Sequence, residues 1–290
     1  MKKLVLACLA FVATVPSWST PIAEETLYQR LGGVHPIASV CDAFVDRLLA
    51  NPKIMGPLSK RVKILPAEGK KRTPGLKYLL TEQICAAAGG PQKYSGRDMR
   101  SVHAGMVIDD AQWDAMVDDL TATLTQFKVP AEMQAEIAKL LAPTKRDIVT
   151  GENVRMRPNL DRPPTANAPL YDRLGGVYGI ALVCDQFVDA LLKEPAIGAN
   201  PKVAESFSKI TVPGIKFMLT SQICALTGGP QKYVGRSMKD SHKGLGITAE
   251  EWDASGKVFV KTLQKLGVGK TEQDELVAAI TKMRKDIVEK

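Results

Sequence analysis

Apolar residues recur at three- and four-residue steps along much of the chain, the spacing of amphipathic helices. Ile37, Val40, Cys41, Phe44, Val45 and Leu48 mark one such helix, and Leu76, Leu79, Leu80, Gln83 and Ile84 a second between Gly75 and Ala88. Trp113, Met116, Val117, Leu120, Leu124 and Phe127 mark a third; beyond Pro130, Met133, Ile137, Leu140 and Leu141 mark a fourth. No segment alternates apolar and polar residues as a half-buried strand does, so the fold class is all-α. Asn51 to Pro74 is rich in Pro, Gly, Lys and Arg with weak periodicity and reads as loop and short turns, its Lys70-Lys71-Arg72 run as a solvated face.

The pattern occurs twice. Leu27 to Pro52 returns at an offset of 143, and the residues from Gly75 onward return at 139, so four residues are lost in the loop between. The strongest correspondence joins GGPQKYSGRDMRSVH, ending at His103, to GGPQKYVGRSMKDSH, ending at His242; ten of fifteen positions are identical. This sets two domains, 24–150 and 170–290, joined by 151–169. The joining segment, with four prolines and little apolar content, reads as a semi-extended connector able to hold the domains tens of ångströms apart, at roughly 3.1 Å per residue.

Each repeated run carries one histidine. The Gly-Gly-Pro opening ends the helix before it, because proline lacks an N–H and forces its predecessor out of helical backbone. Four residues before each histidine stands Met99 or Met238, on the same face if the segment is helical. A neutral imidazole among apolar side chains suits a metal or haem iron. The remaining histidine, His35, precedes Pro36 and reads as a helix-start residue.

Composition is that of an ordinary globular protein, 45% hydrophobic and 24% charged. The net charge of +8 is spread along the chain without a nucleic-acid motif, and no flavin- or nicotinamide-binding motif is present. Lys2 and Lys3, an apolar run from Leu4 to Val15, Pro16 and a small-x-small site at Ser17 to Ser19 read as a signal peptide, residues 1–19, with export to a periplasm or the exterior. That run is too short to span a bilayer, so no stable membrane insertion is expected.

Both repeats resemble truncated haemoglobins of the first group. The resemblance is carried by LYQRLGG and LYDRLGG, the Asp-x-Phe-Val-Asp helix, the Gly-Gly-Pro-x-x-Tyr-x-Gly-Arg-x-Met-x-x-x-His run and the closing Asp-Ile-Val. It implies two tandem truncated globin-like domains of 2-over-2 helical architecture, each binding one haem b, with His103 and His242 as iron ligands. It further implies haem contacts from Phe44, Leu76, Leu80 and Met99 in the first domain and from Phe187, Ile215, Leu219 and Met238 in the second. Tyr94, Arg97, Tyr233 and Arg236 stand either as loop residues facing water or as partners of the haem carboxylates. The implied function is reversible binding of O₂, CO or NO for binding, transport or sensing. The alternative is a haem enzyme, an NO dioxygenase or peroxidase-like activity, which would require an external electron-donor protein.

Two departures from the family bear on chemistry. A tyrosine commonly follows the distal phenylalanine there, and a glutamine or other polar residue lies on the next helix; here Val45 and Leu80, and Val188 and Leu219, take those places. Tyr78 lies two residues from both Leu76 and Leu80, hence on the opposite helix face. Met218 replaces Leu79 and is read either as core or as a thioether ligand to iron. Cys41 and Cys85, repeated as Cys184 and Cys224, are read as buried thiols or as one disulfide per domain, since in a globin their helices are neighbours and an exported protein meets oxidants.

Overall fold

The computed structural model describes residues 24–61, 66–149 and 164–290, which form helices and turns without a strand. The first half runs α1 (Leu27–Arg30), α2 (Val34–Ala50), α3 (Pro52–Arg61), α4 (Pro66–Ala87), α5 (Met99–His103), α6 (Asp110–Gln126), α7 (Ala131–Leu141) and α8 (Lys145–Ile148). The second runs α9 (Leu170–Arg173), α10 (Gly176–Leu191), α11 (Pro195–Gly198), α12 (Pro201–Lys209), α13 (Val212–Leu226), α14 (Met238–His242), α15 (Ala249–Lys265), α16 (Lys270–Thr281) and α17 (Arg284–Ile287). The signal segment expected at 1–19 and the connector from 151 to 163 lie outside the described residues. None of the described helices is long and apolar enough to cross a membrane.

Local chemistry starts and stops these helices. Thr26 with Gln29, Asp109 with Gln112 and Thr248 with Glu251 form capping boxes at α1, α6 and α15. Gly89, at φ +84°, ends α4 in the left-handed conformation that glycine adopts without strain. Its neighbour Gly90 has a second duty: a Cβ there would stand 2.6 Å from the Tyr28 ring. The Gly-Gly pair therefore lets α1 pack on the end of α4, where the Tyr28 amide donates to the Ala88 carbonyl at 2.8 Å. Gly228 and Gly229 repeat this against Tyr171.

Within each half, two long helices, α2 and α4 in the first and α10 and α13 in the second, are tied by one lysine between two aspartates. Lys77 reaches Asp42 and Asp46, both at 2.8 Å, and Lys216 reaches Asp185 at 2.7 Å and Asp189 at 2.8 Å. The apolar faces beneath enclose Ile37, Cys41 and Cys85 in one half and Ile180, Cys184 and Cys224 in the other.

The stretch 51–74 departs from the loop expected of it, since α3 and the first turns of α4 cover much of it. Periodicity is weak there because few apolar residues are present, yet Lys, Arg, Ala and Glu are good helix formers. Pro74 was expected to bound the helix and lies inside it, whereas its counterpart Pro213 opens α13.

A larger departure concerns the two halves. They are in contact rather than held apart by the connector: α4 packs on α10, and α13 on α2. The contact is pseudo-symmetric, because residues at equivalent repeat positions meet across it. Tyr78 stacks on Phe217, with ring centroids 4.8 Å apart, and Ala38 and Ala181 lie in the same core. Gly75 receives Tyr178, and Gly214 receives His35. Burying each ring contributes about 1.5–3 kcal/mol, and the stack about 0.5–1.5 kcal/mol more.

The two-fold relation breaks at one buried carboxylate. Glu82, 3% exposed, stands where the second half has Ser221. It accepts from the Tyr78 hydroxyl at 3.1 Å and from the Ser95 amide and hydroxyl at 2.5 and 2.6 Å. Gln231 of the second half donates to the same Ser95 hydroxyl at 3.0 Å.

Candidate functional site

His103 closes α5 and His242 closes α14, each a five-residue helix launched by a side-chain cap, Asp98 or Ser237. The four-residue spacing from Met99 and Met238 has a consequence that sequence reading missed. Nδ1 of His103 lies 2.8 Å from the Met99 carbonyl, and Nδ1 of His242 lies 2.8 Å from the Met238 carbonyl. A carbonyl only accepts, so Nδ1 carries the proton and donates, which leaves the Nε2 lone pair of each ring available to a metal. Burial lowers the pKa of both imidazoles, with the carbonyl bonds acting in the opposite sense, so each is neutral at pH 7.

The loop before each histidine is built around its tyrosine. The Tyr94 hydroxyl donates to the Arg97 carbonyl at 2.9 Å, and the Tyr233 hydroxyl to the Arg236 carbonyl at 2.8 Å. Gly96 makes room for this fold, because a Cβ there would stand 2.3 Å from the Tyr94 oxygen. The tyrosines thus shape the loop, while the exposed Arg97 and Arg236 are the groups suited to a carboxylate.

Phe44 and Leu80 share one apolar cavity of about 230 Å³ between α2, α4, α6 and α7, whose walls include Ile37, Leu124 and Ile137. Leu76, one helical turn before Leu80, is 39% exposed despite being apolar. His103 does not line that cavity. In the second half Phe187 is buried and meets Phe259 edge-on at 5.1 Å, at the place where the first half has Leu120. Ile215 and Leu219 are partly buried against the same core. Met218 is engaged in packing: its methyl carbon lies 2.3 Å from where a Gly235 Cβ would stand.

Val45 and Val188 are each 2% exposed, so the positions that carry tyrosine in the resembled family are apolar and closed. Tyr78 lies away from this face, as its helix position requires, and is covered by Phe217. The four repeated cysteines are free thiols; burial pushes Cys41 and Cys184 up to about 12. Among the described residues no group of three His, Cys, Asp or Glu side chains could hold a metal ion, so a single imidazole in each half is the iron-ligand candidate.

The donor set fits haem: a neutral imidazole with an unprotonated Nε2, apolar side chains on the long helix before it and an exposed arginine in the loop between. Sequence comparison with known proteins shows the family. Residues 26–150 and 169–289 each match the family described as bacterial-like globin. A group 1 truncated hemoglobin of Synechocystis sp. is 33% identical over 131 residues, spanning 43% of this chain and 98% of that protein. One from Tetrahymena pyriformis is 27% identical over 125 residues, spanning 43% of this chain and 95% of that protein. The crystal structure of a T. pyriformis truncated hemoglobin in its Fe(III) form aligns at a TM-score of 0.37 and 27% identity, covering 42% of this chain and all of that one.

Proposed function

The chain belongs to the bacterial-like globin family, and from that premise we propose a gas-binding truncated globin that carries two haem b groups, one on His103 and one on His242. The observation that carries this reading is the repeated hydrogen bond from Nδ1 to the carbonyl four residues earlier, which presents a neutral Nε2 in both halves. Haem supplies an iron centre that binds O₂, CO or NO.

The chain's own residues then set how a gas is held. Val45, Leu76 and Leu80 in the first half, and Val188, Ile215 and Leu219 in the second, are apolar and offer no side-chain hydrogen-bond donor. Arg97 and Arg236 would anchor the haem carboxylates. Gas binding without a polar partner favours CO relative to O₂ and favours rapid exchange. Reconstitution with haem, reduction and a visible spectrum under CO test the reading. It predicts a CO-induced spectral change that titrates to two sites per chain; a chain that takes up no haem contradicts it.

A further inference from the structure

The loops that lead to the two proximal histidines meet at the junction of the halves. Ser95 lies on the loop of the first half, between Tyr94 and Gly96 and three residues before Asp98, the cap of α5. Its amide and hydroxyl both donate to Glu82, at 2.5 and 2.6 Å, and its hydroxyl oxygen accepts from Gln231 Nε2, on the loop of the second half, at 3.0 Å. A serine hydroxyl donates one bond and can accept two, so both contacts hold at once. Gln231, 4% exposed, also donates to the Tyr171 hydroxyl at 3.3 Å, which in turn accepts from the Val177 amide at 3.1 Å. A continuous run of hydrogen bonds therefore joins the first turn of α10 to Glu82 on α4.

The loop of the second half is held differently. Ser221 and Val234 stand where the first half has Glu82 and Ser95. Ser221 donates to the Lys232 carbonyl at 3.2 Å, and Val234 is 40% exposed. Gln92, the counterpart of Gln231, donates to Tyr28 of its own half at 3.5 Å. The tyrosine-to-arginine bond that shapes each loop is nevertheless the same, 2.9 Å in one half and 2.8 Å in the other. The clamp on Ser95 is thus not needed to build the loop. It fixes a loop already formed, which carries Arg97 and sets the start of the helix that ends in His103. A buried carboxylate is costly unless donors surround it, and Tyr78 and Ser95 supply three bonds to Glu82.

We propose that Gln231 and Glu82 are positioning residues of the first haem site. By gripping Ser95 together they hold Arg97 and α5 in register with the haem on His103, so the second half of the chain sets how firmly the first retains its haem. This rests on the haem reading above.

The test uses the full chain carrying His242→Ala, in which only the first half keeps its proximal histidine. Haem transfer to an excess of scavenging apoglobin is timed with and without Gln231→Met, which keeps the length of the side chain and removes its amide. Loss is expected to quicken about three- to tenfold, the scale of one buried hydrogen bond. Adding Gln231→Met to a Ser95→Ala chain should then change nothing further, because the effect passes through the serine hydroxyl. Resonance Raman of the ferrous form separates positioning from a loosened fold. The iron–histidine band should shift with Gln231→Met and stay in place when the same change is made on Ser95→Ala. An unchanged rate overturns the proposal. So does equal acceleration with and without the Ser95 hydroxyl, or faster loss with an unmoved band, because both mark a packing defect. If the His242→Ala chain takes up no haem at all, the haem assignment of the first half falls, and this proposal with it.

Discussion

Tyr78 and Phe217 occupy the same position in their two repeats and stack on each other across the junction of the halves, their rings inclined by 18°. Each lies on the helix that also carries that half's distal candidates, Leu76 and Leu80 or Ile215 and Leu219. One face of each helix thus carries the haem-contact candidates while the other meets the opposite half.

Because both rings are 4% exposed, truncating either leaves a cavity in the shared core. Tyr78→Ala and Phe217→Ala are each expected to destabilise by about 3–5 kcal/mol in urea unfolding. The double variant should cost less than the sum by about 0.5–1.5 kcal/mol, the coupling of a stacked pair. Strict additivity would mean that the stack contributes nothing beyond burial.

Glu82 gives the junction a dependence on pH. Burial raises its pKa above the ordinary 4.5, while the bonds from Ser95 and Tyr78 act in the lowering direction. The folded state therefore holds the proton more tightly than the unfolded chain. The stabilising contribution is full below about 4.5 and is lost as pH rises through the folded value. Comparing urea midpoints of the wild type and Glu82→Gln from acid to neutral pH should show the wild type losing ground as pH rises. A constant difference would place the carboxyl in a solvated setting.

The apolar distal positions predict fast release of O₂. Introducing a donor by Val45→Tyr, in a chain whose second site is removed by His242→Ala, should slow O₂ dissociation by one to two orders of magnitude, from a hydrogen bond worth about 1.5–3 kcal/mol. Stopped-flow displacement by CO measures it. Slow release in the unmodified chain would reveal a donor other than the side chains named here.

The four repeated cysteines, each 4% exposed or less, should resist alkylation while the protein is folded. After unfolding without reductant, all four should label, as counted by mass spectrometry. Fewer labelled thiols would indicate the disulfide instead.

Much of this was legible from spacing alone. The periodicity of Ile37 to Leu48 and of Trp113 to Phe127 located helices, and Gly89 marked the end of α4. The four-residue interval from Met99 to His103 puts both on one face only if the segment is helical, as α5 is, and the interval does not reveal that the methionine carbonyl fixes the imidazole tautomer. Helical geometry also placed Tyr78 opposite the site. It carried no information on what covers that face, because Phe217 lies 139 residues away and pairing across repeats leaves no local pattern. The same holds for His35, which stands in the first turn of α2 as expected but also packs on Gly214 of the other half. The 51–74 stretch reads as loop because its prolines and charges mask helices with few apolar residues to mark them.

The central claim is one haem per half, held by His103 and His242. Its most direct measurement is the haem count per chain, by pyridine haemochrome against quantitative amino-acid analysis, in the wild type and in the two alanine variants. The account predicts two haems in the wild type, one in His103→Ala, one in His242→Ala and none in the double variant. A wild type with a single haem, or a His242→Ala chain that still holds two with an unchanged spectrum, would contradict it.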